Sequence, residues 1–134
     1  MSKVEQVLEC FKEGFSCSQA VFATYAKELG MEYEIALKVS QAFGGGVGGM
    51  GGECGAVTGA YMVISLIHGR TRAEDSEARL TTFRLVEEFS KRFKAIHGTS
   101  TCSNLLQGKE GTHYEKCKDY VRDASLILED LLSL

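Results

Sequence analysis

Apolar residues recur along this chain at spacings of three and four, the period of a helix with one buried face, and no segment alternates as a half-buried strand does. Val4, Val7, Leu8 and Phe11 form the first stripe, opened by the capping box Ser2-x-x-Glu5 and ended at Gly14. Ser16-x-x-Gln19 opens a second helix with Val21, Phe22, Tyr25 and Leu29 on one face, closed by Gly30. A third runs from about Glu32 to Phe43, with Ile35, Val39, Ala42 and Phe43 facing inward. The segment from Cys54 to His68-Gly69 is apolar nearly all round, the pattern of a helix in the centre of a core. Thr71-x-x-Glu74 predicts the start of a long helix carrying Leu80, Phe83, Val86, Phe89, Phe93 and Ile96, which stops at His97-Gly98 and extends about 40 Å. A short helical turn follows from Cys102 to Gln107. Thr112-x-x-Glu115 caps the last helix, whose stripe is Tyr114, Cys117, Val121, Ala124, Leu128 and Leu131.

With 134 residues, no internal repeat and no linker, the chain reads as one domain spanning 1–134. The fold expected is all-α, a bundle of about six to seven helices with a glycine-rich loop leading into a central core helix. The absence of proline agrees with long helices punctuated by glycine. A formal net charge of −3 offers no footprint for nucleic acid or anionic lipid. The longest apolar stretch, Cys54 to Ile67, is too short to span a bilayer, and no signal-peptide core follows Met1, so the expected location is cytoplasmic.

Cytoplasmic thiols are kept reduced, which turns attention to the five cysteines as ligands, nucleophiles or inert core rather than disulfides. Cys17 follows the capping Ser16, Cys54 stands where the glycine-rich loop enters the core helix, and Cys102 lies in a first turn. Unpaired N–H groups and the positive dipole end favour an anion there, so these thiols are expected to have a lowered pKa. Cys117 lies mid-helix on an inward stripe, and Cys10 sits beside the first stripe as plain core. Taken singly, each is also explained as a small core hydrophobe. No C-x-x-C pair exists, so a zinc ribbon or thioredoxin-type motif is unsupported, and any shared site must be assembled by tertiary structure.

Gly44 to Gly55 holds eight glycines in twelve residues. It matches G-x-G-x-x-G formally, but no strand precedes it and no βαβ unit surrounds it, which removes the basis for nucleotide binding. Ordering so much glycine is entropically costly, so the loop is expected to adopt several positive φ values and to bring backbone close to a bound group. Its N–H groups are candidates to face thiolate or sulfide charge, with Gly45, Gly46, Gly48, Gly52 and Gly55 as cofactor-binding positions. Gly55 and Gly59 thin one face of the core helix for a neighbour helix or a cofactor. His68 and His97 each precede a glycine and are expected to serve helix C-termini, while His113, one turn before Cys117, is a reserve metal ligand. Glu53 is either a solvated loop carboxylate or a proton carrier beside Cys54.

These elements resemble the C_GCAxxG_C_C family, redox-active proteins mainly of anaerobic bacteria and archaea. The resemblance rests on Phe15-Ser16-Cys17-Ser18-Gln19-Ala20-Val21, on Phe43-Gly44-Gly45-Gly46-Val47-Gly48, on Gly52-Glu53-Cys54-Gly55-Ala56-Val57-Thr58-Gly59-Ala60, and on the later Cys102 and Cys117. It covers roughly residues 15 to 120, with one departure, Gly-Glu-Cys-Gly-Ala in place of an unbroken Gly-Cys-Ala. The resemblance implies a helical domain in which four cysteines form a redox site. Similar domains occur in split-Soret-type cytochromes, where the cysteine-rich part is associated with an iron–sulfur centre. This chain has no C-x-x-C-H for covalent haem.

Three functions follow. The first is electron transfer through an iron–sulfur cluster or other metal ion bound by Cys17, Cys54, Cys102 and Cys117, in exchange with a redox partner protein. The second is a metal-free thiol–disulfide protein in which Cys54 or Cys17 attacks and another cysteine resolves. The third is a structural or interaction module, homodimeric through Gly/Ala helix faces, with cysteines as core filler or a structural zinc site.

Overall fold

A computed structural model describes residues Met1 to Leu134. Seven helices follow one another without a strand: α1 (Lys3–Lys12), α2 (Cys17–Glu28), α3 (Tyr33–Gln41), α4 (Gly55–His68), α5 (Ser76–His97), α6 (Cys102–Leu106) and α7 (His113–Leu132). The three capping boxes read at Ser2, Ser16 and Thr112 all form, each with its hydroxyl accepting from the N3 amide and the N3 side chain returning the bond. No helix is long and apolar enough to cross a membrane.

Two helices share the centre. Every residue of α2 from Cys17 to Ala26 is buried, and α2 packs against α1, α3, α4 and α7. Helix α4 buries its first turns against α2 and also meets α5 and α7, but its last turn emerges, exposing Leu66 and Ile67. The α2–α4 approach depends on absent side chains. A Cβ on Gly59 would stand 3.0 Å from the Ser18 carbonyl oxygen and 3.2 Å from Val21 Cβ, and one on Gly55 would collide with Cys17 Sγ.

Buried polar groups set the other side of α2. Ser18 Oγ donates to the Ser40 carbonyl at 2.7 Å and Gln19 Nε2 to the Leu37 carbonyl at 3.0 Å, so α2 side chains satisfy carbonyls near the end of α3. This selects a face of α3 other than the expected one. Ala36 and Ser40 are buried and Tyr33 and Leu37 pack on the core, whereas Ile35 and Val39 are 48% and 49% exposed. The helix also stops at Gln41, leaving Ala42 and Phe43 in the turn that follows.

The long helix α5 differs in the same way. Asp75, not Thr71, supplies the cap, its carboxylate accepting from the Ala78 amide, so α5 has 22 residues and a length of about 33 Å. Glu74 is instead paired with Arg72. The core side is Thr82, Phe89 and Phe93, with Leu85 and Val86 alongside, while Leu80, Phe83 and Ile96 are exposed. The Arg79 guanidinium lies 4.6 Å from the Phe83 ring centroid, covering part of that apolar face. Leu29, at the end of α2, is likewise exposed.

Filling the α2–α4 contact should be costly. Gly59→Val is expected to destabilise the chain by about 1–3 kcal/mol as overpacking at a helix crossing, measured by urea denaturation. An unchanged midpoint would mean that α2 and α4 are not held in contact there.

Candidate functional site

Four chain segments converge at one end of the bundle. Cys17 is the first residue of α2, Cys54 caps α4, Cys102 opens α6, and Cys117 lies in the second turn of α7. All four line a single cavity of about 260 Å³. Gly45, Gly49, Gly51 and Gly55 form another part of its wall, and Leu105, Leu106 and Tyr120 close it on an apolar side with His113 and Ser103. Cys10 is elsewhere, packed between α1 and the Tyr33 hydroxyl, 3.4 Å from its Sγ. All five thiols are free.

The glycine loop makes this convergence possible. Five consecutive residues, Gly45 to Gly49, have positive φ, including the β-branched Val47 at 67°. A valine in that region is strained by roughly 1–3 kcal/mol. The coil folds back on itself through Gly48 N–H to the Ala42 carbonyl at 2.6 Å, Gly51 N–H to Gly45 at 3.0 Å and Gly52 N–H to Gly46 at 2.8 Å. Its far side then pairs with the segment before α6. Cys54 N–H donates to the Ser100 carbonyl at 2.8 Å, Cys102 N–H to Gly52 at 2.6 Å and Ser103 N–H to Gly51 at 3.1 Å, around an antiparallel bridge between Glu53 and Thr101. Buried Ser100 also donates its hydroxyl to the Glu53 carboxylate, so Glu53 fastens the two segments together.

Of the candidate glycines, Gly45 and Gly55 reach the cavity wall, whereas Gly46, Gly48 and Gly52 stand behind it. Gly46 has φ +72°, and a Cβ there would lie 2.6 Å from Cys102 Cβ and 2.5 Å from the Gly52 nitrogen. Its missing side chain lets the Cys102 segment lie against the loop. Gly52 supplies the carbonyl that holds Cys102, and Gly48 turns at the exposed tip. Gly49, Gly51, Leu105, Leu106, Ser103 and Tyr120 join the wall without having been singled out in the sequence. Gly49 and Gly51 belong to the same glycine run, and Tyr120 lies one helical turn beyond Cys117, so a helical wheel through Cys117 would have found it.

The thiols are not activated as their helix-end positions suggested. Cys17, Cys54 and Cys117 are only 6%, 5% and 7% exposed, and burial is the leading influence on each, raising its pKa. Cys54 is pushed up to about 12 and Cys117 to about 11; Cys102, the one partly exposed member, is raised by desolvation as well. Backbone N–H groups nearby oppose this, those of Gly45 and Ser18 at Cys17 and that of Ala56 at Cys54, but they do not outweigh desolvation. Like-charge repulsion adds to the rise, from Cys102 at Cys17 and from both Cys17 and Cys102 at Cys54 and Cys117.

His113 faces the cavity with its ring edge against Phe11, centroids 5.0 Å apart, and desolvation lowers its pKa. His97 does more than end a helix. Its Nε2 lies 3.0 Å from Asp123 Oδ2 on α7, and its ring packs against Phe93 and Tyr120. No group of three or more histidine, cysteine or carboxylate side chains is positioned to hold a metal ion. The four thiols line one cavity without forming such a group.

A family model described as "Putative redox-active protein (C_GCAxxG_C_C)" matches residues 15–131, which includes all four cavity cysteines and excludes Cys10. Comparison with curated proteins and with solved structures gives no match.

The raised thiol pKa values have a direct readout. In the reduced, metal-free chain, carbamidomethylation of Cys54 and Cys117 should be slow at pH 7 and rise about tenfold per pH unit without levelling below pH 10, followed by mass spectrometry of the cysteine peptides. A plateau by pH 8 would show thiolates stabilised by the helix ends instead.

Proposed function

Starting from the membership of this chain in the C_GCAxxG_C_C family, we propose that it transfers electrons through an iron–sulfur centre held by Cys17, Cys54, Cys102 and Cys117. The observation that supports this reading is the gathering of four of the five cysteines, from four separate segments, on one cavity while the fifth stays outside it. Bound there, such a centre supplies one-electron exchange with a redox partner protein.

The residues of the chain would then do three things. The backbone N–H groups of Gly45 and Ser18 favour charge on Cys17 sulfur, and that of Ala56 favours it on Cys54. Such groups stabilise thiolate sulfur and raise a reduction potential. Leu105, Leu106 and Tyr120 make one side of the cavity apolar. Cys102, at the partly exposed edge, offers the shortest route for electrons between the cavity and a docked partner. Thiols held neutral release their protons when a cationic centre binds, so loading is coupled to proton release.

The same chemistry weighs against thiol–disulfide exchange. That mechanism needs a thiolate near neutral pH, and every cavity thiol has its pKa raised.

Purification under strict anaerobiosis tests the proposal. The expected protein contains iron and acid-labile sulfide and absorbs in the visible. Cys54→Ser and Cys117→Ser should lose most of that iron, and Cys10→Ser should keep it. A colourless, iron-free chain with five titratable thiols overturns the assignment. A reversible two-electron couple against thiol buffers in that chain would identify the metal-free alternative, and zinc in place of iron a structural site.

A further inference from the structure

The more apolar side of α3 is turned away from the core. Ile35 and Val39 are exposed, and Ala42, one turn further along the same side, is exposed as well. The core side is held by the small residues Ala36 and Ser40, and α3 has extended contact with α2 alone. A single exposed apolar side chain needs no explanation, but a row of them along one helix face marks a surface that meets something.

The row does not stop with the helix. The Ala42 carbonyl accepts from Gly48 N–H at 2.6 Å, which folds the tip of the glycine loop back on the end of α3. Met50, the most exposed large side chain after Met1, lies at that tip, its Cε 3.9 Å from where a Cβ on Gly48 would stand. At the other end of α3, Leu29 is exposed in the turn that leads from α2.

The charges beside the row suit a second copy of the same surface. Glu34 and Lys38 are exposed, take part in no ion pair, and stand one turn apart on the same flank of Ile35 and Val39. Laid antiparallel on its copy about a two-fold axis, α3 sets Ile35 against Val39 of the second copy. Equal flanks then meet across the seam, so Glu34 faces Lys38 of the second copy and the pair is made twice. Phe83 on α5 has no such complement, because Arg79 already covers its ring at 4.6 Å.

We propose that the Ile35–Val39–Ala42 face of α3, with Met50, is the contact between two copies of this chain. The contact does not depend on what the thiol cavity holds. It does reach the cavity wall, because Met50 stands between Gly49 and Gly51. A nine-residue helix is only about 13 Å long and buries less than the roughly 800 Å² per partner of a standard interface, so the dimer is weak and reversible.

Sedimentation equilibrium of the full-length chain, kept reduced and at low salt, tests the contact. A monomer–dimer equilibrium with a Kd on the order of 100 µM is expected. Val39→Asp should weaken it about tenfold or more. Glu34→Lys should weaken it about fivefold, and Glu34→Lys combined with Lys38→Glu should restore it. All three positions are exposed and outside the cavity, so the variants keep the fold and the thiol site. A chain that stays monomeric up to about 1 mM overturns the proposal. A dimer that Glu34→Lys leaves unchanged, or that the double exchange does not restore, forms through another face and overturns it equally.

Discussion

The arrangement of the sulfur atoms depends on one backbone contact, the pairing of Gly51–Cys54 with Ser100–Ser103. Three main-chain hydrogen bonds and the Glu53–Ser100 link hold these segments together although some fifty residues separate them in sequence. The pairing brings the cap of α4 and the start of α6 side by side, and with them Cys54 and Cys102. It exists only because Gly46 has no side chain to occupy the space that Cys102 Cβ and Gly52 fill. The left-handed coil of Gly45 to Gly49 is thus a means of stacking backbone on backbone, and the strain at Val47 is borne by the bonds that close the coil.

Around that contact two electrostatic influences oppose each other. Helix N-termini and loop amides favour thiolate, while burial disfavours any charge. Burial prevails at Cys17, Cys54 and Cys117. The outcome is a set of thiols whose neutral form is favoured, beside backbone N–H groups that partly offset the burial at Cys17 and Cys54.

Elements whose signals were local and unopposed could be read in advance. The capping boxes at Ser2, Ser16 and Thr112 each formed as written, and the stripe of α7 through Cys117, Val121, Ala124 and Leu128 is the buried one. Helix α3 shows where such reading stops. Its sequence carries two sets at helical spacing, Ile35 with Val39, and Tyr33, Ala36, Leu37 with Ser40. The more apolar set lost because small residues admit α2 closely and Ser18 and Gln19 of α2 need carbonyls of α3. At α5, two acceptable caps competed, and Asp75 prevailed while Glu74, the partner Thr71 required, was engaged by Arg72. Both outcomes turned on neighbours that no window along the chain contains.

The sequence alone determined that the chain is helical, where most helices begin and end, that the glycine run must turn left-handed, and that Cys10 stands apart from the other four cysteines. Those properties follow from local spacing, capping chemistry and the conformational freedom of glycine. Tertiary structure alone decided which faces are buried, that Gly46 and Gly55 are spaces for Cys102 and Cys17, that Tyr120 bears on α6, and that the thiols are neutral. Each of these depends on what lies across a contact between distant segments, and desolvation in particular is a property of everything that surrounds a group at once.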